Sequence, residues 1–130
     1  MALTASVIVC AHNEALFISA CLHSFLAQTR TPDQIIVVDK ACTDGTAAVA
    51  RQLPHVDVVK EPSKGLVIAR ESGRRHAWGD VLVYLDADCR APLFWLDQIA
   101  DRCVRDPDLV ALSGPYRPFA TRCAVTWMSR

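Results

Sequence analysis

The sequence predicts an α/β fold built on a mostly parallel sheet with helices on both faces. Three observations predict it. Short apolar runs rich in β-branched residues alternate with stretches whose apolar residues recur at helical spacing. The strand-like runs are continuous rather than alternating, as strands covered on both faces require. Turn residues mark the junctions: Thr31-Pro32-Asp33, Thr43-Asp44-Gly45, Pro62-Ser63-Lys64-Gly65 and Ser113-Gly114-Pro115. Right-handed crossovers leave few ways to connect such units, and the commonest gives the strand order 3-2-1-4 with a switch point between the first and fourth strands.

The elements follow in order. The first strand spans residues 6–10. A helix capped by Asn13 follows, with Ile18, Leu22, Phe25 and Leu26 on one stripe. The second strand, 35–38, ends on Asp39, and Thr43-Asp44-Gly45 opens a second helix that stops before Pro54. A short third strand covers 56–59, and Pro62-Ser63-Lys64-Gly65 leads into a third helix ending near Gly79. The fourth strand is 81–85. Pro92 suits the first turn of a fourth helix, whose apolar face is Leu93, Leu96, Ile99, Ala100 and Cys103. Residues 109–112 suggest a fifth strand, after which the pattern dissolves.

Size and charge exclude several classes. The chain has 130 residues, enough for one compact domain. The natural division is a body over 1–114 and a tail over 115–130. Acidic and basic side chains balance at 14 each, so no net field draws nucleic acid or an anionic membrane. No apolar run approaches the ~18 residues of a spanning helix, and the N-terminal strand lacks a basic leader region. Six scattered cysteines without a C-x-x-C pair point to free thiols in a reducing, cytoplasmic setting. His12, His23, His55 and His76 have no metal-ligand spacing, and neither G-x-G-x-x-G nor a P-loop is present.

The chemistry gathers at strand ends. A carboxylate inside a sheet is prohibitively costly without a partner. Asp86 and Asp88 lie where the fourth strand leaves the core, at the edge where ligands of such sheets bind. Asp39 ends the second strand on the same edge, and His12, Asn13 and Glu14 follow the first. Two carboxylates two residues apart suit a hard divalent cation, which in turn clamps phosphate oxygens.

Four motifs in this order resemble the nucleotide-sugar-binding, N-terminal half of a family-2 glycosyltransferase of the Rossmann-like GT-A fold. Residues 6–14 resemble its opening strand and N-E turn. Residues 35–39 with Thr43-Asp44-Gly45-Thr46 resemble V-V-D-D-G-S-x-D-G-T. Lys64-Gly65, with Ala69-Arg70 and Gly73 beyond, resembles N-x-G-x-x-x-A-R-N-x-G. Asp86-Ala87-Asp88 resembles the D-x-D. The resemblance implies a UDP- or GDP-linked sugar as donor and Mg2+ or Mn2+ as cofactor. It implies that Asp39 takes the base N–H and that Ala11, His12, Asn13 and Glu14 hold the nucleoside. Lys64, Gly65, Arg70 and Ala87 would line the donor site, with Arg70 on the base or a phosphate. Asp86 would contact ribose or metal, and Asp88 the metal. The reaction implied is an inverting transfer to an acceptor that no motif here identifies.

Two departures stand out. Lys40-Ala41-Cys42 replaces the usual second Asp and Gly-Ser, putting a cation beside the site. The acceptor-binding half, with its catalytic Asp or Glu base, is expected beyond Arg130, so the chain reads as truncated, from a longer parent that could sit at the cytosolic face of a membrane. An exposed apolar flank and self-association follow from that expectation. Two other functions remain open: a nucleotide-binding module without turnover, and a receiver-like domain phosphorylated on Asp86. The second lacks the acidic pair expected after its first strand and the Lys expected after its fifth.

Each residue also has a plain structural reading. Asn13 and Asp44 are helix caps, and Glu14 is a first-turn acid favoured by the helix dipole. Lys64 and Arg74-Arg75-His76 are surface, and Trp78 and Trp95 are packing residues.

Overall fold

A computed structural model describes residues 3–116. The elements are β1 (Ala5–Ala11), α1 (Ile18–Leu26), β2 (Gln34–Lys40), α2 (Thr46–Arg51), β3 (Val56–Glu61), α3 (Leu66–His76), β4 (Val81–Tyr84) and α4 (Trp95–Arg105). All strand pairs are parallel, in the order β3-β2-β1-β4. The predicted fold class and strand order are therefore the observed ones.

Strand periodicity builds two cores from one sheet. Val7, Val9 and Ala11 of β1 and Ile35 and Val37 of β2 face Ile18, Cys21, Leu22 and Phe25 of α1, Ala50 of α2 and Leu96 of α4. Their neighbours Ile8, Ile36 and Val38 face Ala69 of α3. β1 and β2 are buried on both faces, whereas the outer strands are half-covered, and Tyr84 of β4 is exposed. Trp95 packs on Phe25 with ring centroids 6.2 Å apart, as a packing residue should, but Trp78 is 61% exposed.

Close approach and buried polar links hold α3 to the sheet. A Cβ on Gly73 would stand 2.5 Å from Ile8 Cγ2, so any side chain there would have to push Ile8 aside. Ser6 and Gln34 are buried polar residues that join each other at 2.7 Å. Gln34 Nε2 donates to His76 O at 3.0 Å, and its Oε1 accepts from Trp78 N–H at 3.1 Å. This network stops α3 at His76, short of the predicted Gly79, and turns Ala77 into extended backbone.

Three other expectations are corrected. α1 begins at Ile18, because Asn13 takes φ 53° and its Oδ1 accepts from Thr43 N–H at 2.8 Å instead of capping its own helix. α4 begins at Trp95, not Pro92. The segment before it runs along α1, where Ala91 N–H donates to Ser24 Oγ at 2.9 Å and Pro92 O accepts from Gln28 Nε2 at 2.5 Å. Leu93 consequently lies outside the helix and half-exposed. Residues 109–112 form no strand; Val110 is 98% exposed, and among the described residues no strand pairs with it. Trp127 and residues 117–130 of the tail lie outside the described residues. Among the described residues no helix is long and apolar enough to cross a membrane.

Candidate functional site

The carboxyl ends of β1, β2 and β4 form one rim. Ala11 is the register partner of Asp39, and Leu85 N–H still donates to Ile8 O at 3.2 Å just past β4. Parallel neighbours end on the same side, so polar residues distant in sequence converge there.

The loops after β1 and β2 are knitted into one unit. Asp39 is 8% exposed and its Oδ1 accepts the Cys42 N–H at 2.9 Å, closing a turn in which Ala41 has φ 48°. His12 Nδ1–H donates to Lys40 O at 2.7 Å; the carbonyl can only accept, so the ring proton is on Nδ1. The Cys42 thiol accepts from Asn13 N–H at 3.4 Å and donates to Ala11 O at 3.3 Å. Glu14 N–H donates to the buried Thr46 Oγ1 at 2.9 Å. Asp44 accepts from Thr46 N–H at 3.0 Å, from the Thr46 hydroxyl and from Ala15 N–H at 3.3 Å, and these bonds hold its carboxyl below the usual range. Asn13 and Asp44 are thus structural ties between loops, a role wider than the capping expected of them.

The β4 end makes the acidic part. Cys89 N–H donates to Asp86 O at 3.0 Å, forming a turn that buries Ala87 and presents Asp86 and Asp88 to solvent. One ligand atom each from Asp86, Asp88 and Cys89 lies within 4.8 Å of the others, a spacing one ion could span. Arg70 reaches in from α3, its guanidinium 3.8 Å from Asp86 Oδ1. Burial raises the Glu14 pKa, and the carboxylates of Asp88, Asp44 and Asp86 raise it further, with His12 opposing. Lys64 is exposed, and Gly65 takes φ 114° at the head of α3.

One site residue escapes the sequence reading. Thr46 anchors the loop after β1 from the start of α2; its place in the Thr-Asp-Gly-Thr run was the available signal. Tyr116, 66% exposed beyond α4, has its phenol raised by burial first, then by Asp86 and Cys89, with Arg70 opposing.

Acids outside the rim stand elsewhere. Ile99 and Ala100 of α4 line a small cleft with Leu3, Thr4, Ala5 and Val81, at the opposite edge of the sheet. Asp97 accepts from the Thr29 hydroxyl beyond the far end of α1, and Asp101 pairs with Arg105 at 3.0 Å.

The five described cysteines are free. Burial, then the Asp88 charge, pushes the Cys89 thiol up to about 11, and burial chiefly pushes Cys21 to about 12. A raised thiol pKa keeps the unreactive protonated form at neutral pH. Iodoacetamide labelling of Cys89, read by peptide mass spectrometry, is therefore expected to be slow at pH 7 and to climb about tenfold per pH unit towards pH 11. A plateau by pH 9 would contradict that environment.

Comparison with known proteins places this geometry. The family profile described as Glycosyl transferase family 2 matches residues 6–128. Glycosyltransferase AglE of Haloferax volcanii is 32% identical over 100 residues, covering 72% of this chain and 33% of that protein. Polypeptide N-acetylgalactosaminyltransferase 5 of Caenorhabditis elegans is 35% identical over 117 residues, covering 81% of this chain and 18% of that protein. Among solved structures, a mannosyltransferase from Pyrobaculum calidifontis in complex with GDP-Man and Mn2+ superposes with TM-score 0.66 at 33% identity, over 71% of this chain and 29% of that one. S. aureus TarS 1-349 in complex with UDP shares the fold at TM-score 0.74 and 22% identity, over 81% of this chain and 33% of that one. The chain spans a third or less of the length of these relatives.

Proposed function

The chain belongs to glycosyltransferase family 2, and on that premise we propose that it binds a nucleotide-diphosphate sugar at the rim of β1, β2 and β4 for inverting transfer of the sugar. The observation that carries the reading is the convergence of Asp39, at the end of β2, with Asp86 and Asp88, both just past β4, on one rim. In this reading Asp39 accepts the base N–H. Ala11, His12, Asn13 and Glu14 wall the nucleoside, Gly65 and Lys64 shape the entrance, and Arg70 fixes Asp86 or meets the base. Family membership removes the receiver-like alternative.

The donor set fits a divalent cation: Asp86 and Asp88 offer hard oxygen ligands, which suits Mg2+ or Mn2+. When bound, such an ion supplies positive charge against the diphosphate leaving group. The chain's own side chains orient the donor and leave its sugar facing solvent and an acceptor.

Inverting transfer also needs a base for the acceptor's proton. Asp97 and Asp101 lie toward the opposite edge, which supports reading residues 1–114 as the donor-binding part, with the base supplied from outside them. The same placement favours a second reading, nucleotide binding without turnover, and one relative 32% identical to the chain, from Macaca fascicularis, is named an inactive polypeptide N-acetylgalactosaminyltransferase-like protein 5. Calorimetric titration with UDP and GDP, each with Mn2+ and with EDTA, tests donor binding. Metal-dependent heat is expected, and its absence for both nucleotides would overturn the proposal. Release of free UDP or GDP from the matching sugar nucleotides separates transfer from binding alone.

A further inference from the structure

Cys89 stands at the acidic end of the rim, and the donor reading gives its thiol no role. Asp86, Asp88 and Cys89 each place one ligand atom within 4.8 Å of the other two, and among the described residues no other group of three does so. The turn that carries them is fixed from below. Asp86 O accepts the Cys89 N–H at 3.0 Å and the buried Cys21 thiol at 3.6 Å. Ala87 and Ala91 are buried on either side of Cys89 in the chain. Cys89 itself is half-buried and packs against the core that holds Cys21 and Leu96.

The spacing between donors carries chemical information. The Cys89 thiol donates to Asp88 Oδ1 with sulfur and oxygen 3.6 Å apart. A tetrahedral Zn2+ with Zn–S about 2.3 Å and Zn–O about 2.1 Å holds those two donor atoms about 3.6 Å apart. The pair therefore needs no rearrangement to share such an ion: the proton between them leaves and the ion takes its place. Mg2+ prefers an octahedron of oxygens and gains nothing from a sulfur.

Resting on the donor-binding reading above, we propose that Cys89 is the third protein ligand of the rim cation, and that its thiolate makes the site select thiophilic ions such as Zn2+ and Co2+ over Mg2+. On binding, the S–H bond breaks, its proton passes to solvent, and a sulfur lone pair forms the bond to the ion; nothing is oxidised or reduced. A dication deprotonates a coordinating thiol outright, so Asp88 turns from hydrogen-bond acceptor to fellow ligand. Three protein ligands leave an open position for a diphosphate oxygen. Nitrogen, oxygen and sulfur sites generally favour Zn2+ and Co2+ to begin with, so the contribution of the thiolate is the part of the preference that Cys89→Ser removes.

The test is Co2+ titration of the full chain, read by the near-ultraviolet sulfur-to-cobalt charge-transfer band, for wild type, Cys89→Ser and Cys103→Ser. Calorimetric titrations with Zn2+, with Mg2+, and with UDP and GDP in each ion accompany it. Wild type is expected to develop the band and saturate at one ion per chain. Cys103→Ser, on α4 and outside the cluster, keeps it, and Cys89→Ser loses it. Cys89→Ser is expected to weaken Zn2+ about tenfold or more, at least the loss that follows removal of an outer-shell partner, and to leave Mg2+ unchanged. Thermal melting checks that the variant is folded. X-ray absorption of Zn2+-loaded wild type needs no variant, and a sulfur neighbour at about 2.3 Å is expected. A first shell of oxygen and nitrogen alone, a band that survives Cys89→Ser, or an unchanged Zn2+-to-Mg2+ ratio in that variant overturns the inference, while metal-dependent nucleotide binding keeps the donor reading. A Cys89-dependent band without binding of UDP or GDP in any ion overturns the donor reading and leaves the thiolate ligand in place.

Discussion

Asp88→Ala is expected to lower affinity for UDP in Mn2+ on the order of 100-fold, to the level wild type shows in EDTA. Asp88 is exposed, and one of its carboxylate oxygens lies within 4.8 Å of one from Asp86, whose Oδ1 is 3.8 Å from the Arg70 guanidinium. Arg70 and Asp86 are both about half exposed, so that pair offsets little of the local negative charge. In the proposed reading a bound dication makes the cluster favourable, and removing one ligand of so few removes most of the grip. The same crowding predicts the sign of the effect on the ligand-free protein. Deleting Asp88 relieves like-charge repulsion, so the melting temperature should hold steady or rise slightly. A variant that binds UDP normally, with its metal dependence intact, would contradict the assigned role.

Gly79→Ala is expected to be the most damaging of the glycine substitutions, at about 3 kcal/mol. The added Cβ would fall 2.6 Å from Ser6 N, 2.7 Å from Ser6 Oγ and 3.0 Å from Ala5 C. Those atoms belong to β1, held by β2 on one side and β4 on the other, so the backbone has nowhere to go. The substitution also displaces Gly79 N–H from Ser6 Oγ, now at 2.9 Å. Gly73→Ala should be milder. Its clash is with the Ile8 and Val38 side chains, and alanine returns up to about 1 kcal/mol of helix propensity. Gly45→Ala meets nothing within 4 Å and should stay within about 0.5 kcal/mol of wild type. Urea denaturation of the three variants checks the order, and a Gly79→Ala protein as stable as Gly45→Ala would show the close approach to be absent.

The sheet order was legible because β1 and β2 are continuous apolar runs that only a doubly covered parallel strand accommodates. The acids of the rim were legible for the complementary reason: Asp39, Asp86 and Asp88 interrupt those runs where burial would be intolerable. Helix boundaries were not legible. Asn13 and Pro92 carry strong local signals for helix starts, but partners from other loops, Thr43 and Gln28, engage their side chain and carbonyl first. Gln28 itself carries no signal in the sequence. It is 5% exposed, with Nε2 on Pro92 O and Oε1 on Leu96 N–H at 3.1 Å, a role that exists only once the segment after β4 lies along α1.

One divalent ion, with the diphosphate it holds, is expected at the carboxyl rim of the sheet. Mn2+ broadens the amide NMR signals nearest to it, so a spectrum of the labelled protein with UDP and substoichiometric Mn2+ locates the ion. Selective loss of signals from residues 86–89 and 11–14, with Leu3, Thr4 and Asp33 at the opposite edge retained, is the predicted result. Broadening centred on that opposite edge, or spread evenly over the protein, would contradict it.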